Sequence, residues 1–127
     1  MSRSLFFLII AVVGLVFSVA LLLVPSTVAQ SVGLSGSAET AFLFRALGAV
    51  LLSVTLANFL VRNHPDSPTL AAVLWMNIAA HVLSIMVDLV GQAQGLVTMA
   101  HSAPGLVVHL VIALGAYFYI RRMNPVG

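Results

Sequence analysis

The sequence predicts an all-α protein, an integral membrane four-helix bundle with both termini on the cytoplasmic side. Three observations predict it. First, the 127 residues are 61% hydrophobic and 6% charged, with a mean hydropathy of +1.17, whereas soluble domains carry about 25% charged residues. A water-soluble fold of this size has too little interior to hide so much apolar surface. Second, the apolar residues gather into four runs, each close to the ~20 residues needed to cross about 30 Å of hydrocarbon. Third, the arginines outside those runs fall on one side of a four-span chain.

The first run, "LFFLIIAVVGLVFSVALLLV" (5–24), is uninterrupted and ends at Pro25 and Ser26, punctuation suited to a helix end. Arg3, the apolar core and "STVAQ" together also have the outline of a secretory signal. The core exceeds the roughly 7–15 residues of such a segment, so it is read as a span that is retained. "QSVGLSGSAET" follows and reads as a Gly/Ser loop. The second run, "AFLFRALGAVLLSVTLANFLV" (41–61), stops at "RNHPDSP", where two prolines forbid helix continuation. The third is "TLAAVLWMNIAAHVLSIMVDLV" (69–90), closed by "GQAQG". The fourth covers 104–120, with Pro104 placed for a first helical turn. No internal repeat links the two halves, so residues 1–127 form a single transmembrane domain.

Arg3, Arg62, Arg121 and Arg122 lie at the N-terminus, the second connection and the C-terminal end. The other two connections carry no Lys or Arg, so the positive-inside rule places both termini in the cytoplasm. Tyr117 and Tyr119, at the inner end of the fourth span, fit an interfacial aromatic anchor.

Several function classes are excluded. Five arginines against Glu39, Asp66 and Asp88 make a small, scattered excess with no nucleic-acid footprint. Absence of cysteine removes disulfides, thiol redox chemistry, Fe–S clusters and covalent haem attachment. There is no G-x-S-x-G elbow, H-E-x-x-H, P-loop or dinucleotide fingerprint, and the connections are too short for an extramembrane catalytic domain. No catalytic residue, metal-ligand set or cofactor is assigned.

Function, if the spans carry it, sits on their polar residues. In "NIAAHVLSIMVD", Asn77, His81, Ser84 and Asp88 fall at roughly 0°, 40°, −20° and 20° around a helix, one narrow polar stripe. Small residues mark the other faces: Ala11, Gly14 and Ser18 on the first span, Gly48, Ala49 and Ser53 on the second, Gly105, Ala113 and Ala116 beside His109 on the fourth. In lipid, such faces let backbones approach closely.

Arg45 and Asp88 sit at a similar estimated depth, roughly 3–6 Å below the outer boundary. An ion pair between them is the economical reading of two charges set in apolar runs, with ligand binding or proton relay as the alternative and Glu39 as a competitor for Arg45. His81 lies near the midplane and His109 nearer the outer end, with estimated depths differing by roughly 6 Å. That offset is awkward for two axial ligands of one haem iron. Asn58 and Asn77, in the inner leaflet, read as structural amide bridges. His64, Asp66 and His101 read as solvated loop groups. The candidate polar intramembrane site is therefore Arg45, His81, Ser84, Asp88 and His109.

The layout departs from small multidrug transporters, whose first span carries a carboxylate, since none lies in residues 5–24 here. "PSTVAQSVGLSG" after the first span, "RALGAVLL" opening the second, and the proline-containing turn before the third resemble the DoxX-like small four-helix membrane proteins of bacteria. The resemblance implies a bacterial cytoplasmic membrane and, for some relatives, association with redox complexes. It transfers no catalytic residue.

The expected function is a non-enzymatic accessory or scaffold subunit of a membrane complex. The alternative is a small proton-coupled transporter or binder of a hydrophobic or anionic molecule, and the third reading is a redox-associated intramembrane protein. The expected partner is the lipid bilayer, with a homo-oligomer or larger membrane complex left open and nucleic acid excluded.

Overall fold

Three serines set the starts of three long helices. In a computed structural model, which describes residues 1–123, Ser2, Ser37 and Ser67 stand in extended backbone. Each side chain accepts from the amide three residues on, that of Leu5, Thr40 and Leu70 respectively. Each cap satisfies one of the amides that a helix N-terminus leaves free. The helices are α1 (Arg3–Leu23), α2 (Pro25–Ser31), α3 (Ala38–Val61), α4 (Pro68–Ala93) and α5 (Met99–Ile120). Of these α1, α3, α4 and α5 are long and apolar enough to cross a membrane, and the described residues contain no strand.

Two expectations change here. The Gly/Ser loop expected from Gln30 starts two residues later, because Gln30 and Ser31 complete α2 (Pro25–Ser31), which has Pro25 in its first turn. Proline has no amide to continue α1 but is pre-set for a new helix start. The chain bends at Val24 and restarts. The fourth span begins at Met99 rather than 104, leaving Pro104 inside α5. One turn forms ahead of the proline, started by extended Thr98, whose carbonyl accepts from the amides of His101 and Ser102.

Gly33 (φ +83°) and Gly95 (φ +69°) close α2 and α4 in the left-handed region. The next amides, those of Leu34 and Leu96, reach back to the carbonyls of Ala29 and Gly91. These are Schellman closures, which need a residue free of a Cβ penalty.

The long helices associate as two antiparallel pairs, α1 with α3 and α4 with α5. On α1, Ala11 and Ser18 are buried and Gly14 lies against Thr55 of α3. Further along the same seam, a Cβ on Gly48 would meet the Leu21 Cβ at 2.9 Å. The small face predicted for this helix is corrected in part: Gly48 is buried, but Ala49 and Ser53 are exposed. The buried residues of α3 are instead Ala41, Gly48, Thr55 and Asn58. Three of these recur every seven positions, the period of a helix seam.

The pairs meet most closely at the end that carries the termini. Phe6, Phe7 and Ile10 of α1, Leu70 and Leu74 of α4, and Ile112, Ala116 and Tyr119 of α5 form one core cluster there. The Phe6 ring packs onto Gly115, where a side chain would have no room. Outside this packing, Arg3 forms an ion pair with Asp66 and donates to the His64 carbonyl at 2.9 Å. Ser4 Oγ donates to Asn63 Oδ1 at 2.7 Å. Asp66 is therefore a latch between the second connection and α1, not a merely solvated loop group. Tyr119, expected as an interfacial anchor, is buried and donates to the Met1 carbonyl at 2.8 Å, while Tyr117 is exposed.

Candidate functional site

The polar stripe of α4 meets a different partner at each level. At its lower end, Asn77 and Asn58 are only 1% and 3% exposed, so each must find its hydrogen bonds inside the protein. They find each other. Asn58 Nδ2 donates to Asn77 Oδ1 at 3.1 Å, and Asn77 Nδ2 donates to Asn58 Oδ1 at 2.7 Å and to the Val73 carbonyl at 2.8 Å. This reciprocal amide pair joins α3 to α4.

One turn further on, the seam passes to α5. His81 Nδ1 lies 2.8 Å from His109 Nδ1, and the ring centroids are 5.0 Å apart at an interplanar angle of 42°. A nitrogen–nitrogen contact this short requires one protonated and one bare nitrogen, so the two imidazoles share one proton across the helix interface. The estimated 6 Å offset between these histidines is corrected. It followed from starting the fourth span at Pro104. From Met99, His109 is ten residues in, about 15 Å, against about 18 Å for His81 from Ala93.

Ser84 turns its hydroxyl onto its own helix, donating to the Ala80 carbonyl at 2.9 Å. That bond occupies the proton a nucleophilic serine would need to give up. Asp88, half-buried, faces Gly105 of α5, where a Cβ would stand 3.9 Å from its Oδ2. Gly105 is one turn from His109 on the same helix, so the carboxylate and the imidazole pair lie along one seam between α4 and α5. Above them Gln92 Nε2 donates to Ser102 Oγ at 2.8 Å.

The expected Arg45–Asp88 ion pair is not formed; among the described residues the ion pair is that of Arg3 with Asp66. The physical reason is the pairing of helices. Because α3 packs on α1, Arg45 reaches α1, and its Nε donates to the Leu22 carbonyl at 3.4 Å. The bend at Pro25 leaves carbonyls in the last turn of α1 without intrahelical donors, and Arg45 supplies one of them. Asp88 is left against α5, and no hydrogen-bond or ion-pair partner of it is found among the described residues. Glu39, the proposed competitor, is exposed in the first turn of α3.

Of the five candidate residues, the structure thus brings His81, Asp88 and His109 to one seam, turns Ser84 aside, and sends Arg45 elsewhere. Sequence reasoning missed Gln92, Ser102 and Thr55. Gln92 was discoverable, since it extends the stripe one turn beyond Asp88. Ser102 was hidden by placing it outside the fourth span. His101, read as a solvated loop group, lies in the first turn of α5, where its Nδ1 is 2.9 Å from Thr98 Oγ1 and its ring stands beside Gly33.

No group of three or more His, Cys, Asp or Glu positioned to hold a metal ion occurs among the described residues. An apolar surface groove lies elsewhere, along the outer face of α1 from Leu15 to its C-cap Val24. Within the described residues no buried side-chain nitrogen or oxygen lacks a partner. No protein-family model, curated protein or solved structure matches the chain.

Proposed function

We propose that the protein is a non-enzymatic membrane component, an accessory or scaffold subunit of a larger membrane complex. The observation that carries this reading is the matching of polar groups within the spans: Asn58 with Asn77, His81 with His109, Gln92 with Ser102. Pairs of this kind fix helix register in lipid, where unmatched polar groups are costly. The seat is the bacterial cytoplasmic membrane, supported by the DoxX-like resemblance. Arg3, Arg62, Arg121 and Arg122 gathered at one end support cytoplasmic termini. Purification from the native membrane in mild detergent tests the subunit role. A defined second protein in fixed stoichiometry is expected, and a free-standing monomer would overturn it. Sidedness is directly measurable because the chain has no cysteine. A membrane-impermeant maleimide on intact cells should label Ser35→Cys but leave Ser2→Cys unlabelled.

A second reading, a small proton-coupled transporter or binder, is favoured by one observation: a half-buried carboxylate, Asp88, on the same α4–α5 seam as two imidazoles. Charged groups inside spans are expensive and tend to mark ion pathways. In liposomes, uptake of lipophilic cations or organic anions should then depend on pH and vanish in Asp88→Asn. Uptake indifferent to that substitution removes the reading. The third reading, a redox-associated intramembrane protein, rests on the DoxX-like resemblance alone.

A further inference from the structure

We propose that Asp88, His109 and His81 form a proton-exchange site along the α4–α5 seam, with Asp88 as the outward port and the imidazole pair as the store. The site rests on the second functional reading above and narrows it to the ion handled.

Three geometric facts carry it. The Nδ1–Nδ1 contact of 2.8 Å exists only while one of the two nitrogens carries a proton and the other accepts it. The pair therefore shares one proton, and a further proton arriving at His109 Nε2 frees the Nδ1 proton to pass to His81. Asp88 lies five residues from the end of α4, about 7.5 Å along the axis. Gly105 opposite it leaves the space beside its carboxylate unfilled. Gly105 lies one turn of α5 from His109, ~6 Å along the axis, so the carboxylate beside Gly105 and the imidazole pair lie along the same seam, with proton transfer between them carried by bridging water.

The step balances in protons alone. A protonated Asp88 gives its proton toward the His109 ring, breaking an O–H bond and forming an N–H bond. His109 then passes its Nδ1 proton to His81, and nothing is oxidised or reduced. Among the described residues, Asp88 of α4 is the charged group set on the same seam as the pair; from α3 the polar group on the stripe is Asn58, already bonded to Asn77. An amide does not titrate, so the route stops at His81. The site exchanges protons with one side and does not by itself conduct them through the bundle.

The test is nitrogen-15 NMR of the histidine-labelled full chain in lipid nanodiscs. One proton resonance coupled to both Nδ1 nitrogens is expected, lost in His81→Phe and in His109→Phe. Asp88→Asn, a near-isosteric change at a half-buried position, guards against unfolding as the cause. It should keep the resonance but slow its exchange with water about tenfold or more, whereas a structural role for Asp88 would leave the rate unchanged. Two uncoupled histidines, or an exchange rate indifferent to Asp88→Asn, would overturn the site. A coupled pair in a protein that shows no pH-driven uptake supports the site and removes transport. Uptake with uncoupled histidines does the reverse.

Discussion

The pairs α1–α3 and α4–α5 solve the same problem with different chemistry. In lipid the tails are as apolar as leucine, so helices gain little from burying apolar surface against one another. The α1–α3 pair relies on close backbone approach: Gly14 against Thr55, Gly48 against Leu21, Ser18 buried with its hydroxyl on the Gly14 carbonyl at 2.6 Å. The α4–α5 pair instead carries polar rungs, His81–His109 and Gln92–Ser102, with Asp88 between them. Contact through small residues leaves no vacancy and nothing to titrate. Polar rungs hold register while keeping labile protons in the interface. The polar rungs thus lie between α4 and α5, and the tight small-residue contacts between α1 and α3.

Four tests break or sharpen that contrast, and reversible unfolding in mixed micelles measures all of them. Gly14→Leu should cost most, about 3 kcal/mol, because the new side chain has to displace Thr55 and push α3 away. A loss no larger than that of a surface substitution would mean the α1–α3 contact is not tight. Next, at the join between the pairs, Asn77→Ala strands a buried amide on Asn58 and should cost about 2 kcal/mol. The double change Asn58→Leu with Asn77→Leu should lose much less than twice that, since neither partner is left unpaired.

Within the polar pair the effects should be smaller. Gln92→Ala removes one rung and is expected to cost about 0.6 kcal/mol, the usual worth of a hydrogen bond between membrane helices. The least coupled are Arg45 and Asp88, which belong to different pairs. Arg45→Ala and Asp88→Asn should combine additively within about 0.5 kcal/mol. Strong non-additivity would restore the ion pair that the geometry denies.

The additive outcome also marks where sequence reasoning stops. Hydropathy located the four spans to within a few residues, because length and apolarity are properties of one segment at a time. Helical periodicity found the stripe of Asn77, His81, Ser84 and Asp88, which is again local. What periodicity leaves out is which neighbour each face meets. Arg45 and Asp88 share a sign relation and a similar depth, yet α3 lies on α1 and the two never meet. The histidine contact was concealed by a different fault. Pro104 was read as a helix start, since proline is favoured there, and the missing turn shifted every depth on that helix outward. Seven-residue recurrence of Ala41, Gly48 and Thr55 was present in the sequence, but Ala49 and Ser53 offered a rival small face of equal merit.

The bond from Tyr119 to the Met1 carbonyl spans 118 positions of sequence. At synthesis rates of about 5–20 residues per second, the partner of Met1 emerges on the order of ten seconds after it. During that interval α1 and α3 can already be paired, while the face of α1 that carries Phe6 and Phe7 has only Leu70 and Leu74 of α4 to meet. Arg3 and Ser4 can meet Asp66 and Asn63 much earlier, so α5 closes a corner that the second connection has already latched.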